Sequence, residues 1–177
     1  MTGIVAALGS TRRNLYYVQG LYRRTYSGYF NDDVNYFDNA TPTASAADTS
    51  PIAPPSNVNL TSYQWLGYWL ATSDTVSGGS TFFQTASDDG SWLWIGLTAV
   101  TGYTTGNALI NNGGLRSDVQ TVSASTPLTV GQYYPIRLQY GANTAGSLQF
   151  SVFSTSVNNY TTNVANNVFY NGVTLGL

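Results

Sequence analysis

The chain has 177 residues, the length of one domain, and 42% are hydrophobic, enough for a core of its own. Only 8% are charged, against roughly 25% in an average soluble domain; the net charge is −2, all eight acids are Asp and all six bases are Arg. Without His, Cys, Lys or Glu, most nucleophile–base pairs and soft-metal sites are excluded, and −2 argues against a broad nucleic-acid surface, so Asp, Tyr and Arg remain for acid–base work and a hard, oxygen-bound cation such as calcium stays open.

Taken from the start, residues 1–14 read as an N-terminal arm. The apolar run Ile4–Leu8 has no basic region before it and makes a poor signal peptide, and no stretch of the chain is long enough to span a membrane. Arg12, Arg13, Arg23 and Arg24 crowd this end; they are expected to be solvated flanks of a first strand rather than a polyanion site. Strand material begins at Leu15–Val18 and continues from Leu21 to Phe30. Asp32 and Asp33 follow, without the Gly and distal Glu of an EF-hand loop, so turn chemistry is expected of them. Asn39 to Ser62 is rich in Ala, Thr, Ser and Pro (Pro51, Pro54, Pro55) and reads as a long surface loop with short strands at most.

Gln64–Leu70 and Thr81–Thr85 return to strand. Asp88-Asp89-Gly90 is a turn, and the strand behind it puts Trp92 and Trp94 on one face and Leu93 and Ile95 on the other, so both faces are apolar as in a central strand. All four tryptophans, Trp65, Trp69, Trp92 and Trp94, are assigned to the core. Leu109–Gly114 runs into a glycine turn. Tyr134, Ile136, Leu138 and Tyr140 alternate with Arg137 and Gln139, and Leu148, Phe150 and Val152 alternate likewise; Gly141–Gly146 between them reads as a six-residue hairpin connection. The result is an all-β, two-sheet antiparallel sandwich over residues 15–155. Residues 156–177 read as a polar C-terminal extension with a weak strand at Val168–Tyr170, expected to pack on a neighbour.

Two adjacent carboxylates at the end of a rigid apolar strand are the main candidate site. They suit a hard cation, and the competing reading is a plain Asp-Gly turn. Tyr103, in a polar loop soon after the Trp-rich strand, is the aromatic chosen as a ligand platform. Asn39, Asn59 and Asn159 head glycosylation patterns of a kind that chance produces in an Asn/Thr-rich chain.

Several runs occur together in order: Tyr26-Ser27-Gly28-Tyr29-Phe30, Phe82-Phe83, Ser87-Asp88-Asp89-Gly90-Ser91-Trp92-Leu93-Trp94-Ile95, Asn112-Gly113-Gly114, Tyr133-Tyr134-Pro135-Ile136-Arg137-Leu138 and Gly146-Ser147-Leu148-Gln149-Phe150. This set resembles the PA-fourteen domain family, named after a fragment of anthrax protective antigen, across roughly residues 15–153. The resemblance implies a β-sandwich that serves as a carbohydrate-binding or structural module. In the lectin branch it implies a cis-linked aspartate pair that binds calcium, which in turn takes sugar hydroxyls. Carried over, Asp88 and Asp89 are the metal and ligand residues, and Asn143 is the nearest match to a loop asparagine that adds another oxygen. The loop Gly141–Ser147 is shorter than that branch's and has no aromatic.

The function expected is a non-enzymatic glycan-binding attachment module, with Ca2+ as cofactor, on a virion or extracellular surface. The alternative is a structural part of a virion that uses the sandwich as a building block. The low charge suits either, since the surface must be neutral polar or covered by protein partners in a larger assembly.

Overall fold

The Tyr-, Thr- and Val-rich runs form strands that pair antiparallel throughout, because alternating apolar positions give each strand one face to bury. The computed structural model of the chain describes residues 15–48, 52, 54, 58–153 and 169–174. The described strands are β1 (Leu15–Gln19), β2 (Leu21–Ser27), β3 (Ala44–Asp48), β4 (Thr61–Leu70), β5 (Ser80–Asp88), β6 (Gly90–Ile95), β7 (Ile110–Asn112), β8 (Val119–Val122), β9 (Thr126–Pro127), β10 (Tyr133–Ala142), β11 (Ser147–Phe153) and β12 (Phe169–Thr174). Short helical turns α1 (Tyr36–Asn39) and α2 (Leu97–Val100) and a 3-10 turn at Thr105–Asn107 lie between them.

One sheet holds eight of these strands, in the order β1-β12-β4-β10-β6-β7, with β2 also on β4 and β3 on β2; the other is β11-β5-β8 with β9 on β5. The main core lies between the sheets and contains Trp65, Trp69, Phe83, Leu93, Ile136, Leu138, Tyr140, Leu148, Phe150 and Val152. A second cluster, with Tyr26, Phe30, Val34, Phe37, Trp92, Trp94, Ala99 and Tyr103, covers part of the outer face of the large sheet. The sequence pattern of β6 therefore holds in space: Leu93 faces one core and the two tryptophans face the other.

Two expectations need correction. Gly141–Gly146 does not close a hairpin. β10 is flanked by β4 and β6, so neither of its edges is open, and β11 pairs with β5 in the opposite sheet. The connection crosses between sheets instead. The described part of the C-terminal segment joins this chain's own sheet: β2 follows β4 only as far as Leu66, and β12 takes the remaining edge at Tyr68 and Trp69 while pairing with β1 on its other side. Phe169 packs on Phe150, so the sandwich continues past residue 155. The N-terminal arm 1–14, with Arg12 and Arg13, and Asn159 fall outside the described residues.

Candidate functional site

β5 ends at Asp88 in the small sheet and β6 begins at Gly90 in the large one, so the aspartate pair forms the step between the two sheets. The β10–β11 connection makes the same crossing beside it: Gly141 lies opposite Gly90, and Ser147 opposite Asp88. The two crossovers are packed tightly. A methyl group on Gly146 would stand 2.0 Å from the Asp88 carbonyl oxygen and 2.7 Å from the Tyr140 hydroxyl, so only glycine fits there. Tyr140 uses that hydroxyl to donate to the same carbonyl at 2.7 Å. The Asp88–Asp89 peptide is cis.

Asp89 is 5% exposed, and its two oxygens are used separately. Oδ1 accepts from the backbone N–H of Arg116 at 3.0 Å, and Oδ2 from that of Asn143 at 2.8 Å. One carboxylate thus fastens the β7–β8 loop and the β10–β11 loop to the turn. Asp88 is half-buried, and its carboxylate has no such clamp among the described residues. Its carboxyl is pushed above the usual aspartate range, first by loss of water and then by the negative charges of Asp89 and Asp118. Three carboxylates consequently act on one rim.

A buried hydroxyl–amide network supports the turn from below. Ser87 and Ser91 share a bond of 2.8 Å, Ser91 donates to Thr85, and the Asn112 amide donates to Ser87 and to the Val119 carbonyl. Thr121 closes the set by donating to the Asn112 carbonyl oxygen at 2.9 Å. These bonds tie β5, β6, β7 and β8 together with each partner satisfied, which fixes the turn more firmly than exposed loop contacts would.

Of the residues chosen from sequence, Asp88, Asp89 and Asn143 meet here, Asn143 through its backbone amide. Tyr103 does not. It is 9% exposed, its hydroxyl donates to Asp38, and one ring face is covered by the Arg137 guanidinium 3.9 Å from the centroid. A stacking platform needs a free face, so Tyr103 is a core residue. Burial and the Asp38 bond push its hydroxyl up to about 12. Asp33 behaves as a turn residue, accepting from the Asn35 N–H. Asp32 does more: its Oδ1 accepts from the Tyr29 hydroxyl at 2.6 Å and from the Gly114 N–H at 3.1 Å, which brings it beside Gly90. Arg116 and Asp118, absent from the sequence reading, complete the rim; the Asn112-Gly113-Gly114 turn just before them was the available signal.

Residues 61–154, more than half of the chain, match the family model of the GLEYA domain. The chain belongs to the GLEYA domain family. None of the curated proteins matches it in sequence. Solved structures share the fold at low identity. The PA14 domain of the antifreeze protein MpAFP is 16% identical with a TM-score of 0.64, covering 96% of this chain and 99% of that one. The Epithelial Adhesin 6 A domain from Candida glabrata, solved with Galβ1-3GlcNAc, is 15% identical with a TM-score of 0.62, covering 90% of each. An anti-sigma factor domain-containing protein from Clostridium clariflavum is 18% identical with a TM-score of 0.61; the match covers 86% of this chain but only 47% of that protein. The expected PA-fourteen-type β-sandwich is therefore the observed fold.

The donor chemistry at the rim of this GLEYA domain fits a hard cation. Every candidate ligand is an oxygen, and a bound cation would offset both the lost hydration and the negative charges of Asp89 and Asp118 that raise Asp88. Among the described residues no group of three or more acids forms a metal cluster, so a cation here would need amide, carbonyl or ligand oxygens as well.

Proposed function

We propose that this GLEYA domain is a non-enzymatic glycan-binding module that attaches its bearer to a surface, with calcium held by Asp88, Asp89 and Asn143. The carrying observation is the Asp89 carboxylate, which joins two loops at the rim through the Arg116 and Asn143 amides. Calcium prefers 6–8 oxygens, so two carboxylates and one amide leave room for sugar hydroxyls. When bound, the ion supplies a positive centre that neutralises the carboxylates and can take a sugar diol. The protein's own part is to hold the donors in place: the hydroxyl network fixes the turn, and the Asp89 clamp fixes the loops. The complex of the similarly folded adhesin with Galβ1-3GlcNAc supports this reading.

The test is calorimetric titration with Galβ1-3GlcNAc and a panel of related disaccharides, in calcium and in chelator. Binding that needs calcium and disappears in Asp89→Asn is expected; sugar affinity indifferent to both would refute it. A second reading, a building block of a virion or similar assembly, draws support from the 8% charge and from exposed apolar side chains such as Leu97 and Val100. Sedimentation separates the two, since a building block should self-associate or recruit partners and a stable monomer would count against it.

A further inference from the structure

The outer face of the large sheet is only partly covered. The second cluster lies over Trp92 and Trp94; beyond Arg137 the face opens into a groove of about 760 Å³, lined by Tyr22, Leu66, Tyr68, Val100, Pro135 and Arg137 among others. Strand register explains the lining. Tyr22, Leu66 and Arg137 stand in one row across β2, β4 and β10, and so share a face. The volume lies within the range of small-molecule sites, about 300–1,000 Å³.

Arg137 is the unusual member, because it is 8% exposed and lacks an ion-pair partner among the described residues, where the salt bridge formed is Arg23–Asp48. Its Nε–H donates to the Ala99 carbonyl, one Nη1–H donates to Gln64 Oε1, and Tyr103 covers one face. A guanidinium has five N–H donors. The remaining donors, on the Nη1–Nη2 fork, have no acceptor among the described residues. The nearby acid, Asp38, is engaged by the Tyr103 hydroxyl. Burial acts most strongly against the Arg137 charge; Tyr103 and Asp38 offset part of it, and Arg24 adds repulsion. An unpaired buried guanidinium is costly unless an anion meets it, and the fork geometry suits a carboxylate held by two parallel bonds. The neighbouring walls are Leu66, Pro135 and Tyr22, a residue 39% exposed whose ring also has the Arg24 guanidinium 5.7 Å from its centroid.

We propose that this groove is a second ligand site for an acidic sugar, with the carboxylate of a hexuronic acid on the Arg137 fork and the C–H face of its ring on Tyr22 and Leu66. The site uses none of the residues of the Asp88–Asp89 rim and needs no metal. Its test is calorimetric titration of the full chain, in chelator, with D-glucuronate, D-glucose and inorganic phosphate. Glucuronate should bind, with glucose and phosphate each at least about tenfold weaker. Val100→Asp, at a 57% exposed rim position, and Tyr22→Ser should each weaken glucuronate about tenfold with unchanged melting temperature. Asp89→Asn should leave it unchanged, which separates this site from the calcium-dependent one. Failure of glucuronate to bind, equal binding of glucose or phosphate, or indifference to both groove variants would overturn the proposal.

Discussion

Replacing Asp89 by alanine removes one side chain and unfastens two loops. The carboxylate accepts two backbone bonds, 3.0 Å from the Arg116 nitrogen and 2.8 Å from the Asn143 nitrogen, at a site 5% exposed. A hydrogen bond to a charged group contributes about 1.5–3 kcal/mol. Both amides sit in loops that can regain some water once released, so the lower end applies to each, and the sum is about 3 kcal/mol. Asp89→Asn keeps one carbonyl oxygen and can satisfy one of the two amides, so about half that loss is expected. Equilibrium urea unfolding in chelator measures both variants without any contribution from a cation. The m-value should stay constant, because the surface exposed on unfolding is the same. An Asp89→Ala protein within about 0.5 kcal/mol of the parent, or an Asn variant no better than Ala, would refute the clamp.

Three further outcomes follow from the same rim. Gly146→Ala places a methyl group 2.0 Å from the Asp88 carbonyl oxygen, so a cost of about 3 kcal/mol is expected in the same unfolding assay; a neutral substitution would mean that the crossovers are not in contact. Tyr140→Phe removes the 2.7 Å bond to that carbonyl and should cost about 1 kcal/mol, readable as a lower urea midpoint. The raised Asp88 carboxyl gives a pH signature. Its folded proton affinity exceeds the unfolded one, so the ionised form is a burden on the fold that is lifted as pH falls through the raised value toward the unfolded one. In chelator at neutral pH, Asp88→Asn should therefore be at least as stable as the parent, and its advantage should shrink on acidification; an advantage that grows as pH falls would contradict the assigned cause.

The two-faced strand Trp92–Ile95 was legible because local alternation with large apolar residues on both faces already demands cover on both sides. The Asp88-Asp89-Gly90 turn was legible for the same local reason, carboxylates and glycine directly ahead of that strand. The supposed hairpin at Gly141–Gly146 was not, because alternation says which face a side chain takes and nothing about whether a strand's edges are already filled. β10 is flanked on both edges, which only the pairing of distant strands decides. The C-terminal strand was legible at Val168–Tyr170, but its place was not, because that depends on where β2 leaves the edge of β4. Tyr103 was misjudged because its loop looks polar, while its ring lies under the Arg137 guanidinium 34 positions away in sequence. Asp32, Arg116 and Asp118 entered the rim only through folding, since the bond from Gly114 to Asp32 joins residues 82 apart.

The most direct measurement of the rim's role is a calcium titration of the purified chain by isothermal calorimetry, repeated on Asp88→Asn and Asp89→Asn. A saturable calcium heat in the parent, abolished in both variants and weakened as pH falls through the raised Asp88 value, is the expected result. A parent that gives no calcium heat, or variants that keep it, would contradict a cation site at Asp88, Asp89 and Asn143 and leave the turn as a structural step between two sheets.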